Sequence, residues 1–129
     1  MLIVDTFLAN SAIHGIGLFA NEAISKGTKI WTLNTCVDHI LTEEQVSTLP
    51  PVVQKRIKHH TYVNSHGLIV LSGDGAQYMN HSEYANVQDL GYECFALRDI
   101  EAGEELTCDY YATEPDAGKK LKESSDGAN

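Results

Sequence analysis

Ten residues, Tyr78 to Val87, read YMNHSEYANV and set an asparagine, a histidine and a serine side by side. They follow an apolar run, Leu68–Leu71, with the character of buried core. Three adjacent hydrogen-bonding side chains suit either a polar turn with a satisfied histidine or a ligand site. Two other segments raise the same choice. In HGIGLFA, Gly15 and Gly17 bracket Ile16, and a backbone lacking Cβ atoms lets another group approach closely. In FALRDIEAGEELTCDY, a glycine turn leads into a short apolar stretch ending at Asp109 and Tyr110. Alone, each segment is ordinary: a hairpin turn, a polar turn, a surface loop.

Metal chemistry has little support. The three cysteines, Cys36, Cys94 and Cys108, are far apart and form no C-x-x-C pair, so neither a disulfide framework nor a cysteine zinc site is expected. That pattern suits a reducing, intracellular compartment. Of six histidines only His59 and His60 are neighbours, and adjacent residues on a helix do not face one site.

Composition narrows the partners. A chain of 129 residues, 43% hydrophobic and 21% charged, is that of one globular domain with a modest core. A net charge of −9 argues against nucleic-acid binding; it is compatible with a basic polypeptide steered by an acidic field. No apolar run reaches the roughly 18 residues of a membrane span, and MLIVDTFLA reads as a first strand rather than a leader.

The elements that must position these residues are mostly β. Apolar, partly β-branched stretches at 2–8 and 16–20 flank a polar turn at Asn10–His14, and a Lys-Gly turn leads into a strand through Ile30 and Trp31. A helical insert is expected over about 42–60. Thr42 and Gln45 make a capping box, Pro51 opens a second helix, and Val52, Val53, Arg56 and Ile57 form its apolar face. TYVN, a turn at SHG and LIVLSG read as a hairpin; NVQDL and YECFALRDI read as two strands joined at Gly91. Residues 112–129 are polar and read as a loose tail.

Taken together and in this order, the three segments resemble the SET domain of protein-lysine methyltransferases, over residues 2–111. The chain looks closest to short, stand-alone microbial members. The resemblance implies small β-sheets with a C-terminal pseudoknot, in which the N-H-S and Asp-Tyr segments cross. It implies S-adenosylmethionine as cofactor and S-adenosylhomocysteine as product. Gly15, Ile16 and Gly17 would then lie against the cofactor through their backbone, with Asn80 at its amino-acid end and His81 at its adenine. Asn offers both donor and acceptor, which suits a zwitterion. Tyr110 takes the catalytic position and Asp109 a structural one. Asn86 either braces the crossing or makes a local Asx turn. Tyr62 and Tyr78 are candidate walls of a lysine channel, Tyr78 having core packing as its alternative.

The chemistry fits these types. Methyl transfer from a sulfonium needs alignment and exclusion of water, and a phenol oxygen can orient methyl and amine through C–H···O contacts and a hydrogen bond. The lysine attacks as the neutral amine, which costs roughly 4–5 kcal/mol at pH 7 from a reference pKa near 10.4. Desolvation and a nearby cation lower that cost.

The chain departs from the family pattern in places. Gln77 stands where an Arg is usual and Gly75 where an Asn is common; Leu33 removes a hydroxyl from the lysine end. Glu83 and Ala85 replace a Cys and a Pro, and no cysteine cluster follows Tyr111. A zinc-bound closing segment is thus not expected, leaving the 112–129 tail, a homodimer partner or the substrate to cover the site. The expected activity is lysine methylation of a protein, a histone or another basic chain, without direct nucleic-acid or membrane binding. The alternative is a catalytically silent SET-like interaction module. An intracellular, cytoplasmic setting is expected, a nuclear one being compatible.

Overall fold

The computed structural model describes residues 1–63 and 69–110, with only the backbone of Tyr62. The expected SHG turn, Tyr111 and the tail lie outside the described residues. Strands β1 (Thr6–Asn10), β2 (Ile16–Ala20) and β3 (Lys29–Thr32) come first, then β4 (His39–Leu41). Helices α1 (Glu43–Ser47) and α2 (Pro51–His60) follow, then β5 (Thr61–Val63) and β6 (Ile69–Leu71). A 3₁₀ turn at Gly75–Tyr78 leads to β7 (Asn80–His81), β8 (Val87–Asp89), β9 (Glu93–Ala96) and β10 (Glu105–Cys108).

The architecture is mostly β. The larger sheet runs β1-β2-β10-β8-β9-β3, with β7 also on β10; β4, β6 and β5 form a second, antiparallel sheet. Alternation explains why these strands close on one core. Leu18 of β2 sits opposite Leu106 of β10, and both are wholly buried, with Ile30, Ile100, Val70 and Val87 around them.

The first strand begins later than the apolar run suggests. Leu2 makes only an isolated bridge to Trp31, while β1 extends to Asn10, opposite Ile16. The turn sets this register. Ser11 accepts the N–H groups of Ile13 and His14 on its hydroxyl, its own N–H reaches Gly15 O at 2.7 Å, and Gly15 adopts φ +48°.

The helical insert starts as its sequence dictates. Thr42 Oγ1 accepts from Gln45 N at 3.1 Å, and Gln45 Oε1 accepts from Thr42 N at 2.9 Å. Pro51 is the first residue of α2. The inward face is rotated from the expected one: Val53, Gln54, Ile57 and His60 are partly covered, while Val52 and Arg56 are exposed. Gln54 fixes the rotation, because its amide donates to Leu49 O at 2.7 Å. No described helix is long and apolar enough to cross a membrane.

β10 makes the crossing. It pairs antiparallel with β2 but parallel with β7 and β8, Cys108 standing opposite both His81 and Val87. The connection 82–86 therefore passes across it. Asn86, 1% exposed, pins that connection. Its Nδ2 donates to Glu105 O at 2.8 Å and Glu104 Oε2 at 3.0 Å, and its Oδ1 accepts from Thr107 N at 2.8 Å.

Removing this side chain strands a buried N–H and a buried carbonyl. Asn86→Ala is expected to cost about 2–4 kcal/mol. A lower urea midpoint at unchanged slope is the readout; an unchanged midpoint would show that the crossing does not depend on Asn86.

Candidate active site

The same strand assembles the site. Glu105, at the start of β10, accepts from Ser11 Oγ at 2.8 and 2.9 Å on its two oxygens. Asn80 Nδ2 reaches Glu105 Oε2 and His14 O at 3.0 Å each, and Ile16 O at 3.4 Å. One amide thus ties the β1–β2 turn, β7 and β10 together. Gly17 makes room for this packing, since a Cβ there would stand 2.4 Å from Glu105 Oε2 and push the carboxylate from its seat.

Two cavities meet at this junction. A groove of about 760 Å³ is lined by Ile13, His14, Gly15, Ile16, Arg56, Tyr78, Asn80 and His81. A cavity of about 390 Å³ is lined by Trp31, Thr61, Ala76, Asp89, Cys94 and Cys108, among others. His59, His60, Gln77, Met79 and Tyr110 border both. The structure therefore brings Gly15, Ile16, Tyr78, Asn80, His81 and Tyr110 together in one groove. Gly17 faces Glu105 rather than the groove. Asn86 lies buried at the crossing, and the Tyr62 side chain lies outside the described residues.

Tyr110 marks the boundary. Its hydroxyl donates to Met79 O, and its N–H donates to His81 Nδ1 at 3.1 Å. Its ring lies 5.4 Å from that of His81, and Asp109 Oδ1 is 3.7 Å from His81 Nδ1. The residue keeps 49% of its surface exposed. Burial of the hydroxyl, and then the nearby Cys108, push the phenol up to about 12. At neutral pH Tyr110 is a phenol, able to donate and to accept.

The smaller cavity holds groups that sequence reasoning passed over. Asp89 is 8% exposed. Burial lifts its carboxyl to about 6, against the pull of the Gly91 N–H and the Cys94 thiol. Burial also raises Cys94 and Cys108 well above the usual thiol range, so both remain protonated thiols. Period-two alternation in VQD, with Val87 inward, was the available signal for Asp89. Glu105 had no such signal, since alternation in ELTC sets it on the face opposite Leu106 and Cys108.

The departures at 75 and 77 have local causes. A Cβ at Gly75 would stand 3.2 Å from Leu18 Cδ1 and 3.3 Å from Leu8 Cδ2, so an Asn there would press on both leucines. Gln77 donates to Ser72 O at 3.1 Å. Leu33 packs against the core. Among the described residues no three His, Cys, Asp or Glu side chains are placed to share a metal ion.

A curled, mostly β sheet with its last strand crossed by an earlier connection places the chain in a known class. The chain belongs to the SET domain family, whose model matches residues 15–111. It is 31% identical over 130 residues to the Drosophila melanogaster histone-lysine N-methyltransferase trr, covering 91% of this chain and 5% of that protein. The chain thus spans a small part of that relative. Its fold resembles a chain of the Chaetomium thermophilum Polycomb Repressive Complex 2 in an apo, autoinhibited state: TM-score 0.68, 22% identity, 95% of this chain and 17% of that one. A candidate histone methyltransferase of Plasmodium falciparum gives TM-score 0.60 at 17% identity, over 83% of this chain and 93% of that one.

Two titrations follow from the site. The absorbance of tyrosinate in the wild type, less that in Tyr110→Phe, is expected to rise near pH 12 rather than near 10. Asp89 has its folded value near 6 against 3.8, so the folded state holds that proton more tightly. Its contribution to stability is full below 3.8 and is lost as pH rises through 6. Asp89→Asn escapes this loss and keeps an acceptor for Gly91 N. It is expected to gain on the wild type from pH 4 to 7, by up to about 3 kcal/mol at roughly 1.36 kcal/mol per unit. A gap that does not change with pH would contradict the raised value.

Proposed function

We propose that this chain is an S-adenosylmethionine-dependent protein-lysine N-methyltransferase, the groove taking the cofactor and the smaller cavity the lysine. One observation carries it: two separate cavities share a wall formed by His59, His60, Gln77, Met79 and Tyr110. Transfer between two separately bound reactants needs such a boundary, because alignment and dryness supply most of the acceleration.

The groove's residues suit the cofactor. Among the described residues the Asn80 side chain makes its three hydrogen bonds through Nδ2, which leaves Oδ1 to accept from an α-ammonium. Gly15 faces open space where a Cβ would be, and Ile13 and Ile16 are exposed apolar groups beside the polar wall. Gly15, Ile16, Asn80 and His81 would hold the cofactor, which supplies an electrophilic sulfonium methyl. Gly17 acts indirectly, by seating Glu105.

The chain's own part is orientation and desolvation. Tyr110, neutral and anchored on Met79 O, presents lone pairs at the boundary to an amine proton and to polarised C–H groups. The apolar lining by Val63, Ala76 and Met79 favours the neutral amine. The substrate class is a basic, lysine-rich protein, in keeping with a net charge of −9 and with trr, which is named for histone lysine. In this reading residues 1–111 form the catalytic domain in an intracellular, cytoplasmic setting, and residues 112–129 or a second copy cover the groove.

Calorimetric titration with S-adenosylmethionine tests it. One-to-one binding that weakens at least tenfold in folded Asn80→Ala is expected. Tyr110→Phe should still bind cofactor but lose roughly 10²-fold in turnover on a basic protein mixture, the scale of a misaligned reactant. A folded wild type that ignores the cofactor at millimolar concentration would favour a catalytically silent interaction module.

A further inference from the structure

Cavity walls that only enclose an alkyl chain need no charge, yet the smaller cavity contains one. β8, β9 and β3 lie side by side, with Asp89 opposite Cys94 and Cys94 opposite Trp31. Residues directly opposite one another share a face, so these three form a row across the sheet, and all three line the cavity. Asp89 Oδ1 accepts the Gly91 N–H at 2.7 Å, and the Cys94 thiol is its other partner; neither carries a positive charge. Among the described residues no cation pairs with Asp89. Lys58 and His59 of α2 also line the cavity but are exposed, and His60 stacks edge-on against Tyr78.

Trp31 adds a second unsatisfied group. It is 2% exposed, and its Nε1 is buried with no hydrogen-bond partner among the described residues. The row therefore combines a carboxylate with no counter-ion among the described residues and a buried indole, beside the apolar Ala76 and Met79. A buried charge calls for a partner, and an indole face attracts cations. An apolar stem ending in a cation supplies the partner Asp89 calls for; the Trp31 N–H, itself a donor, is not satisfied by it.

We propose that Asp89 is the counter-ion for the lysine ε-ammonium in the smaller cavity, a positioning residue that selects a charged alkyl side chain over a neutral one of the same length. This rests on assigning that cavity to the lysine. Asp89 is largely ionised at neutral pH, so it meets the ammonium form that predominates in water. The ion pair captures the side chain as the ammonium, which by itself raises the cost of deprotonation. One proton then passes from the ε-ammonium to the Asp89 carboxylate, which becomes the neutral acid, and the free amine is used at Tyr110 at the boundary.

Trp31 is the sole tryptophan of the chain, so its fluorescence reports occupancy without cofactor or turnover. The full-length protein is titrated at pH 7.5 and constant ionic strength with n-butylammonium chloride and, separately, with 1-butanol. Saturable quenching or a shift at concentrations at least tenfold lower for the cation is expected, with that preference lost in Asp89→Asn while the response to 1-butanol persists. Equal responses in the wild type would overturn the proposal with no need of the variant; so would a preference that survives in Asp89→Asn. The two assignments fail separately. A wild type that shows no cation preference but binds cofactor removes Asp89 and leaves methyl transfer standing. Cation preference without cofactor binding keeps Asp89 as a lysine-binding group and removes the transfer.

Discussion

Four residues, Glu105 to Cys108, hold both cavities in place. Their strand must satisfy an antiparallel neighbour on β2 and parallel neighbours on β7 and β8, and parallel pairing is slightly weaker per residue. Side chains make up the difference. Glu105 collects Ser11 and Asn80, while Asn86 collects Glu104, Glu105 and Thr107. Hydrogen bonds to charged groups contribute about 1.5–3 kcal/mol each, against 0.5–1.5 for ordinary ones. Arg98 adds a 2.7 Å ion pair to Glu104. Burial alone would raise Glu104; the Glu101 N–H, the Asn86 amide and Arg98 outweigh it and hold its carboxyl below the usual range.

Polar residues near β10 thus serve structure and site at once. Asn80 spends its amide nitrogen on the β1–β2 turn and Glu105, which fixes where its oxygen points. His81 accepts the Tyr110 N–H, so the β7 backbone and the residue after Asp109 are set by the same contact. The smaller cavity works differently. Its thiols, Cys94 and Cys108, are held protonated, and the carboxylate that lines it, Asp89, is buried.

Much of this was legible in the chain. The capping box at Thr42–Gln45, Pro51 at a helix start and the Gly91 turn each depend on neighbours within four residues, which a sequence displays directly. The family pattern pointed to Gly15, Asn80, His81 and Tyr110, and these four line one groove. What escaped was long-range. The rotation of α2 is set by Gln54 reaching Leu49 O, not by the stripe of valines, so Val52 stays outside. Glu105 looks like surface until Ser11, 94 positions away, donates to it. Asp89 reads as an ordinary strand residue in NVQDL, because its burial depends on partners outside its own segment: Cys94 and Trp31 beside it in the sheet and the residues that close the smaller cavity. Gly75 stands where the family pattern has an Asn for a steric reason visible only once Leu8 and Leu18 are in place.

The order of the strands has a kinetic side. The strand at the centre of the larger sheet is the last of the described strands to be made, so β2 on one side and β7 and β8 on the other wait with open edges until it arrives. Contacts between residues so distant in sequence are slow to form, since loop closure precedes any gain. A nascent chain stopped short of residue 105 has neither cavity and presents unpaired strand edges that invite association with other chains. Folding here is expected to be a late, concerted closure rather than a progressive assembly from the first strand onward.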